Sequence, residues 1–298
     1  MSGTSELARR IRFIQILTRR AVDDILAGEY LSVFKGRGME FDEVREYAPG
    51  DEVRLIDWNV TARTGHPFVK RYVEERELTV FLAVDLSASG LFGSASRRKS
   101  EVAAELCALL AFSAIRNNDK VGLLLFSERV ERFIPPRKGA SHVLRIIREV
   151  LDSSPEGRGT DLAFTLDFLG RVARKRGVVF LLSDFLAPDF ARPLGALARR
   201  HDLIAVSILD RRELSLPRLG LMELSDSETG RTRLVDTSDP AFQAAYERRR
   251  EERRRGLERL FGSLAVDHIP IVIRAEDGRR ISYVDDLVRF FKQRERRR

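Results

Sequence analysis

Residues 78–90 read LTVFLAVDLSASG, an apolar run of strand length that changes abruptly to small oxygen-bearing side chains. The apolar run ends at Asp85, and the polar residues that follow are spaced as Asp-x-Ser-x-Ser. Because alternate residues of an extended segment point the same way, Asp85, Ser87 and Ser89 can converge on one point beyond the strand. Hard oxygen donors suit Mg²⁺, Mn²⁺ or Ca²⁺. The stretch therefore predicts a buried strand with a cation site at its carboxyl end.

Further apolar runs follow this strand and are mostly separated by helical patterns. The strand-like runs are 121–126, 178–182, 203–209 and 269–273, and the helical patterns are 100–116, 141–151, 161–174 and 189–200. Such alternation predicts an α/β fold with a doubly wound, mostly parallel, Rossmann-like sheet. Strands that are apolar throughout indicate a sheet covered by helices on both faces.

Four further segments complete the pattern. The run at 130–134 follows the preceding strand after only three residues, so it is expected to pair antiparallel at the sheet edge and to end at Pro135-Pro136. Residues 211–237 predict a loop-rich insertion with a hairpin. Beyond it, Pro240 is expected to begin a long charged helix, and residues 283–294 predict a last helix.

Two segments precede the main α/β domain, which is assigned to residues 78–298. In residues 1–29, apolar positions recur at a helical period until Gly28, which predicts an amphipathic helix. Residues 30–77 are dense in charge and turn signals, and they predict a small β-rich module.

Composition limits the class of protein and its compartment. The chain has 298 residues, 43% of them hydrophobic, which is enough for a large core. The one cysteine, Cys107, is interpreted as a small buried hydrophobe, and its lack of a partner favours a reducing compartment. Since the sequence has no secretory signal and no apolar segment of roughly 20 residues, a cytoplasmic location is expected.

The formal net charge of +8 comes from an arginine-rich composition. A field of this sign attracts nucleic acid, anionic lipid or acidic protein. Because glutamates interleave the arginines of residues 248–259, a solvated helix face explains them better than a phosphate-binding stripe. The arginines also lack interleaved aromatic residues that would stack on bases.

Two further residues complete a candidate ligand set. The strand at 178–182 leads to Asp184, and Thr160 lies in a glycine-containing loop before a helix. Ligands of doubly wound sheets bind beyond the carboxyl ends of the strands where strand order reverses, so Asp85 and Asp184 are expected to meet there. Each residue also has an ordinary alternative, with Thr160 as a helix N-cap and Asp184 as a turn residue. Taken singly, Thr160 and Asp184 favour these ordinary roles, and it is their joint occurrence with Asp85, Ser87 and Ser89 that favours a metal site.

Five positions resemble the metal-ion-dependent adhesion site of von Willebrand factor A domains: Asp85, Ser87, Ser89, Thr160 and Asp184. The resemblance implies that the hydroxyls help to hold Mg²⁺, or alternatively Mn²⁺ or Ca²⁺, while the aspartates act largely through water. It also implies an open position for an acidic side chain of a protein partner. Many members carry Met where this chain has Gly90, a departure that removes no ligand.

The upstream segment, residues 36–77, is similar to the hallmark of the bacterial family catalogued as domain of unknown function fifty-eight. The matching positions are Gly36, Gly38, Glu40, Phe41, Arg45, Tyr47, Gly50, Asp51, Arg54, Asp57, Trp58 and Arg63. Members are typically encoded beside a MoxR-type AAA+ ATPase, and the pair is thought to mature other proteins or complexes in a chaperone-like way. The resemblance therefore implies a MoxR-type ATPase and a protein client as partners.

Physical reasoning gives the same segment a structural role. Trp58 is large enough to anchor the module against the main domain. Ion pairs are expected among Arg45, Asp51, Arg54 and Asp57. The alternative is that Arg54, Asp57 and Arg63 recognise a partner, but polar residues around a tryptophan are commonly satisfied internally.

Three functions are compatible with these patterns. The favoured one is a non-enzymatic, metal-dependent protein-binding module. A magnesium-dependent phosphohydrolase is the second, although such sites commonly have another aspartate soon after the first, where this chain has Ser87 and Ser89. None of the four histidines has triad or zinc spacing, and no Walker or Rossmann glycine motif is present. The third is a basic protein that binds nucleic acid or a membrane surface.

Overall fold

The computed structural model describes residues 27–34, 40–73, 77–91, 98–273 and 282–297, together with residues 9, 11–16, 18, 22 and 93. The chain divides into two compact units, one of residues 1–33 with 78–298 and one of residues 34–77. The predicted hallmark glycines Gly36 and Gly38 lie outside the described residues.

The predicted amino-terminal helix is described only in part. Residues 11–16 are helical, and helix α1 (Ala27–Phe34) includes Gly28. Gly28 is the second residue of α1, so the expectation that a helix ends there is wrong, and apolar residues follow it within this helix. One of them, Tyr30, is 1% exposed, and its hydroxyl donates to Asp119 Oδ2 at 3.0 Å within the larger unit.

The smaller unit combines an antiparallel pair of strands with two short helical segments. Its elements are strands β1 (Glu40–Glu46) and β2 (Phe68–Val73), a 3-10 turn at Val53–Leu55 and helix α2 (Trp58–Thr64). Asp57 caps α2 by accepting hydrogen bonds from Asn59 N and Val60 N at 3.0 and 3.3 Å. Gly65 ends it with a left-handed φ of 76°, which glycine adopts without strain.

The side chains of this unit bear on the predicted ion pairs. Trp58 is 66% exposed, and its packing against the main domain stays a prediction. Asp57 pairs with Lys70 Nζ at 3.4 Å in place of the predicted arginine. The expected pairing of Arg45 with Asp51 is present, with two contacts of 2.9 and 2.6 Å.

The larger unit is built on a six-stranded sheet and a separate hairpin. Its strands are β3 (Thr79–Asp85), β4 (Lys120–Phe126), β5 (Val130–Arg137), β6 (Val178–Ser183), β7 (Asp202–Asp210), β8 (Leu221–Ser225), β9 (Thr232–Asp236) and β10 (Asp267–Ile273). The sheet order is β10-β7-β6-β3-β4-β5, and every neighbouring pair is parallel except β4 and β5. The predicted α/β fold with a doubly wound, mostly parallel sheet is confirmed.

Helices cover both faces of this sheet. They are α3 (Lys99–Arg116), α4 (Ala140–Asp152), α5 (Leu162–Val172), α6 (Ala191–Ala198), α7 (Arg211–Leu214), α8 (Pro240–Ser263) and α9 (Ser282–Glu295). Along β3, Phe81 and Ala83 belong to the core beneath α5, α6 and α8. Leu82 and Val84 alternate with them and are fully buried, because α3 packs on the other face. This double burial explains why the strand sequence is apolar throughout.

The edge strand β5 pairs antiparallel with β4, as predicted, but it does not end at the prolines. It continues through Pro135 and Pro136 to Arg137. Proline donates no backbone hydrogen bond and is tolerated at a sheet edge. Gly122 on β4 makes room for the Pro136 ring, since a Cβ at position 122 would lie 2.9 Å from Pro136 Cγ.

The insertion and the cysteine agree with the sequence predictions. Residues 211–237 contain the short helix α7 and the antiparallel hairpin of β8 and β9. Cys107 is fully buried in α3, and burial raises the pKa of its thiol. Across the described residues, no helix is both long and apolar enough to cross a membrane.

Gly177 allows a prediction about the packing of β3 against β6. A Cβ at this position would lie 2.3 Å from the backbone oxygen of Thr79, a distance that only backbone movement would relieve. We expect Gly177→Ala to lower the free energy of unfolding by about 2 kcal/mol or more. Chemical denaturation measures the change.

A matched control is Gly256→Ala in the exposed helix α8, where a Cβ meets nothing within 4 Å. Its free energy of unfolding is expected to rise by about 0.5–1 kcal/mol, because alanine favours a helix more than glycine does. Wild-type stability in Gly177→Ala would contradict the close approach of the two strands.

Candidate metal centre

The candidate site lies where the strand order reverses. From β3 the chain passes to β4 on one side and returns later as β6 on the other. β3 and β6 are parallel, and Val84 is in register with Leu182. Asp85 ends β3 and Asp184 directly follows β6, so both aspartates lie at the switch point of the sheet, as predicted.

The Asp85 carboxylate is held by two hydrogen bonds. Its Oδ1 accepts from Ser87 N at 2.9 Å, and its Oδ2 accepts from Ser183 Oγ at 2.6 Å. Burial raises the pKa of Asp85 to about 6, the charge of Asp184 adds to this rise, and the serine hydrogen bonds oppose it. The electrostatics at this strand end therefore disfavour negative charge and favour a bound cation.

The two serines of the motif lie together. Ser87 Oγ and Ser89 Oγ are 2.9 Å apart, and both residues are buried. Ala88 N between them donates to Arg158 O at 3.0 Å, which ties this loop to the loop that carries Thr160. The local sequence thus folds into a compact turn that keeps both hydroxyls at the end of β3.

Thr160 is not a helix N-cap, which was its alternative role in the sequence. The N-cap of α5 is Asp161, whose Oδ1 accepts from Phe164 N at 2.8 Å. The Thr160 hydroxyl instead donates to Glu228 Oε1 at 3.2 Å. Glu228 lies in the turn between β8 and β9, where Asp226 Oδ1 accepts from its backbone N at 2.9 Å. The insertion therefore brings a third carboxylate, that of Glu228, to the site. The sequence pattern does not predict this contact.

Asp184 has one satisfied oxygen and one that lacks a hydrogen bond. Its Oδ1 accepts from Leu186 N at 3.1 Å, whereas its Oδ2 is buried without a hydrogen-bond partner among the described residues. The following residue, Phe185, has a left-handed φ of 55° and is held by aromatic packing against Phe190 and Phe261. Such strained backbone is common at functional sites, and here it fixes the turn that follows Asp184.

A buried lysine also reaches this point. Lys99 begins α3, its side chain is 5% exposed, and its Nζ lies 3.5 Å from Asp184 Oδ2 and 2.5 Å from Glu213 Oε1. Glu213 belongs to α7 in the insertion. Neither residue is predicted from the sequence, because charged side chains such as lysine and glutamate usually face solvent.

The donor set fits a hard divalent cation. A cavity of about 20 Å³ is lined in part by Asp85, Ser89, Lys99, Ser183 and Asp184. This volume suffices for one water-sized occupant, for which about 10–15 Å³ is needed. Carboxylate and hydroxyl oxygens are ligands that Mg²⁺ and Ca²⁺ accept. In the described part of the chain, no hydrogen-bond donor satisfies the buried Asp184 Oδ2.

The candidate partner-binding residues Arg54, Asp57 and Arg63 belong to the smaller unit. Asp57 serves structure, as the cap of α2 and the partner of Lys70. Arg54 and Arg63 are exposed, on the 3-10 turn and on α2. A role for these two arginines in recognition stays a prediction.

The sequence matches one family over most of its length. A family profile described as "Protein of unknown function DUF58" matches residues 43–256. The chain belongs to this family. An uncharacterized protein of Mycobacterium tuberculosis is 34% identical to it over 294 residues, which are 98% of this chain and 90% of that protein. The "Uncharacterized protein in moxR 3'region" of Paracoccus denitrificans is 36% identical over 100 residues, 33% of this chain and 94% of that protein.

Two solved structures are similar to this DUF58 protein in fold. BatB from Bacteroides thetaiotaomicron has 13% identity and a TM-score of 0.43, with 74% of this chain and 99% of that chain covered. The SpRpn10 VWA domain has 10% identity and a TM-score of 0.38, with 67% of this chain and 91% of that chain covered. The family membership predicted from residues 36–77 is confirmed by the profile match.

The raised pKa of Asp85 predicts a pH dependence of stability in metal-free DUF58 protein. The ordinary value is 3.8 and the folded value is about 6, so the folded state binds this proton more tightly than the unfolded state. The resulting stabilisation is present below pH 4 and is lost as the pH rises through 6.

Asp85→Asn lacks this titration and keeps a side chain of the same shape. Relative to wild type, its free energy of unfolding is expected to rise by on the order of 2 kcal/mol between pH 4 and 7, measured by denaturation with a chelator present. Parallel pH profiles for the two proteins would show that Asp85 is not held in this way.

Proposed function

We propose that this DUF58 protein is a non-enzymatic, metal-dependent protein-binding module of the cytoplasm. Its site would dock an acidic side chain of a MoxR-type AAA+ ATPase or of a protein client. The observation that carries the proposal is Asp184 Oδ2, which is buried without a hydrogen-bond partner among the described residues. Asp184 lines a cavity together with Asp85 and Ser89. Mg²⁺ suits these donors best, with Mn²⁺ or Ca²⁺ as alternatives.

The residues of the site would share the work of holding the ion. Ser87 and Ser89 offer hydroxyls, while Asp85 and Asp184 offer carboxylates that act directly or through water. The bound ion would supply a positive centre that attracts an incoming carboxylate. Because Asp85 is already hydrogen-bonded to Ser183, part of its charge is engaged within the protein, which leaves the ion short of negative ligands.

Glu228 supports the idea that a carboxylate fits against the site. It accepts a hydrogen bond from Thr160 Oγ1 at 3.2 Å. Burial raises the pKa of Glu228, the Thr160 hydrogen bond lowers it, and the charges of Asp184 and Asp226 raise it further. Without a cation, an acidic group at this position is therefore repelled by Asp184. A divalent cation beside Asp184 would reverse that repulsion, which makes docking depend on metal.

Exposed apolar side chains near the site favour a protein as partner. Leu186, two residues after Asp184, is 44% exposed. Phe164, in the first turn of the helix after Thr160, is 43% exposed. A charged anchor flanked by apolar contacts is typical of protein interfaces.

The choice of a MoxR-type ATPase has a separate basis. The name of the Paracoccus denitrificans relative places that protein in a moxR 3' region. This agrees with the pairing that the family resemblance implies, in which the two proteins together mature other proteins or complexes. The inference is one of association, so it is the partner assignment that most needs a binding experiment.

A hydrolase has less support from the same residues. The positions after Asp85 that could carry a second catalytic aspartate are serines. Ser207 Oγ and His268 Nε2 are 2.8 Å apart, the arrangement of a nucleophile and its base. Ser207 is only 3% exposed, however, so a substrate would have no access to it.

The proposal predicts metal-dependent capture of a MoxR-type ATPase from the same organism. Immobilised wild-type protein should retain the ATPase in Mg²⁺, and chelation with EDTA should reduce retention at least tenfold. Ser89→Ala and Asp184→Asn should have the same effect as EDTA, because the first removes a hydroxyl ligand of the ion and the second removes a carboxylate charge. Ser263→Ala, at an exposed serine near the end of α8, is the control and should bind normally.

Two results would contradict the proposal. Capture that survives both EDTA and Asp184→Asn would exclude docking through the metal. Loss of capture in Arg54→Ala or Arg63→Ala, with Asp184→Asn unaffected, would move the recognition surface to the smaller unit.

A further inference from the structure

The Lys99 ammonium lies beside the Asp184 carboxylate, with which a bound cation would also interact. Its side chain is 5% exposed, and it lines the same cavity as Asp85, Ser89 and Asp184. Its Nζ is 3.5 Å from the Asp184 oxygen that lacks a hydrogen bond. A buried ammonium costs free energy unless carboxylates compensate it, so this placement ties its charge to the acidic groups of the site.

Lys99 has a second carboxylate within reach. Glu213 Oε1 lies 2.5 Å from Nζ, and the Glu213 side chain is 30% exposed. Its other oxygen accepts from Asp210 N at 2.8 Å as part of the capping box of α7. Tyr246 on α8 donates to the Glu213 backbone oxygen at 2.9 Å. Glu213 is therefore held in place from the end of β7 and from α8, independently of Lys99.

We propose that Lys99 is a built-in competitor of the divalent cation and sets the affinity of the site for metal. The ammonium balances Asp184 when metal is absent, and Glu213 retains it when a cation takes Asp184. This inference rests on the proposed function, because it assigns a further residue to the same site. Lys99 acts directly at the site, and Glu213 is a positioning residue that acts through Lys99.

The charges of the site give the direction of the effect. With Lys99 in place, a divalent cation must approach a buried positive charge and replace its interaction with Asp184. Removing the ammonium leaves the Asp184 carboxylate buried and uncompensated, which favours metal. Removing Glu213 leaves the ammonium with Asp184 as its one close carboxylate among the contacts described here, which disfavours metal.

Isothermal titration of the full chain with Mg²⁺ tests the inference, and Mn²⁺ serves as a second probe. Lys99→Met removes the charge while keeping the unbranched side chain, and it is expected to tighten the Kd at least tenfold. Lys138→Met is the matched control, because Lys138 is exposed beyond β5 and its Nζ contacts Asn118 Oδ1 at 3.2 Å, just before the start of β4 and thus at the opposite end of the sheet. It makes the same change in net charge and should leave the Kd within twofold of wild type.

A double-mutant cycle separates the two roles of Glu213. Glu213→Gln alone is expected to weaken Mg²⁺ binding severalfold, and this arm leaves Lys99 in place if Lys99→Met does not fold. In the Lys99→Met background the same change should have a clearly smaller effect. An equal loss in both backgrounds would mean that Glu213 acts by its own charge, which would overturn the inference.

The failure of the inference differs from the failure of the proposed function. If wild type binds Mg²⁺ and Lys99→Met binds it no more tightly, the competitor role is wrong and the metal site stands. If neither protein binds Mg²⁺ or Mn²⁺, both are wrong.

Discussion

The parallel pairing of β3 with β6 is the constraint on which the candidate site depends. The two strands run in register, and Gly177 lets their backbones approach closely at the start of β6. Because they end together, the pairing carries Asp85 and Asp184 to one edge of the sheet. The apolar residues of both strands are covered by helices on either face, so the aspartates cannot move apart without disrupting the core. The placement of the two aspartates is thus a consequence of the fold, whereas the hydroxyl groups are placed by the loops that follow the strands.

The carboxylates of Asp85 and Asp184 repel each other at one buried edge of the sheet, and neighbouring groups reduce this repulsion only in part. Asp85 is stabilised by hydrogen bonds from Ser183 and Ser87, yet its pKa still rises to about 6. Asp184 is partly balanced by the Lys99 ammonium. Asp184 Oδ2 still has no hydrogen-bond partner within the described ranges of the chain. A site organised in this way responds strongly to the arrival or removal of positive charge, and that response is what makes a metal-gated contact with an acidic partner physically reasonable.

The sequence predicted the features that depend on local pattern. Apolar runs located the strands of the main sheet, and the Asp-x-Ser-x-Ser spacing located the end of β3. It did not reveal Lys99 or Glu228. The burial of the Lys99 side chain and the contact of Glu228 with Thr160 both depend on tertiary packing. The continuation of β5 through its prolines depends on an edge position and on the space at Gly122, neither of which is visible in the proline pair.

Anomalous diffraction from crystals grown with Mn²⁺ is the sharpest test of a cation site at the end of β3, because it locates the ion without reference to any partner. The account predicts one anomalous peak beside the Ser87 and Ser89 hydroxyls and Asp184, with oxygen ligands at about 2.0–2.6 Å and the Lys99 ammonium directed towards Glu213. Mn²⁺ found elsewhere in the protein, with Lys99 still paired to Asp184 and no peak at the end of β3, would contradict it.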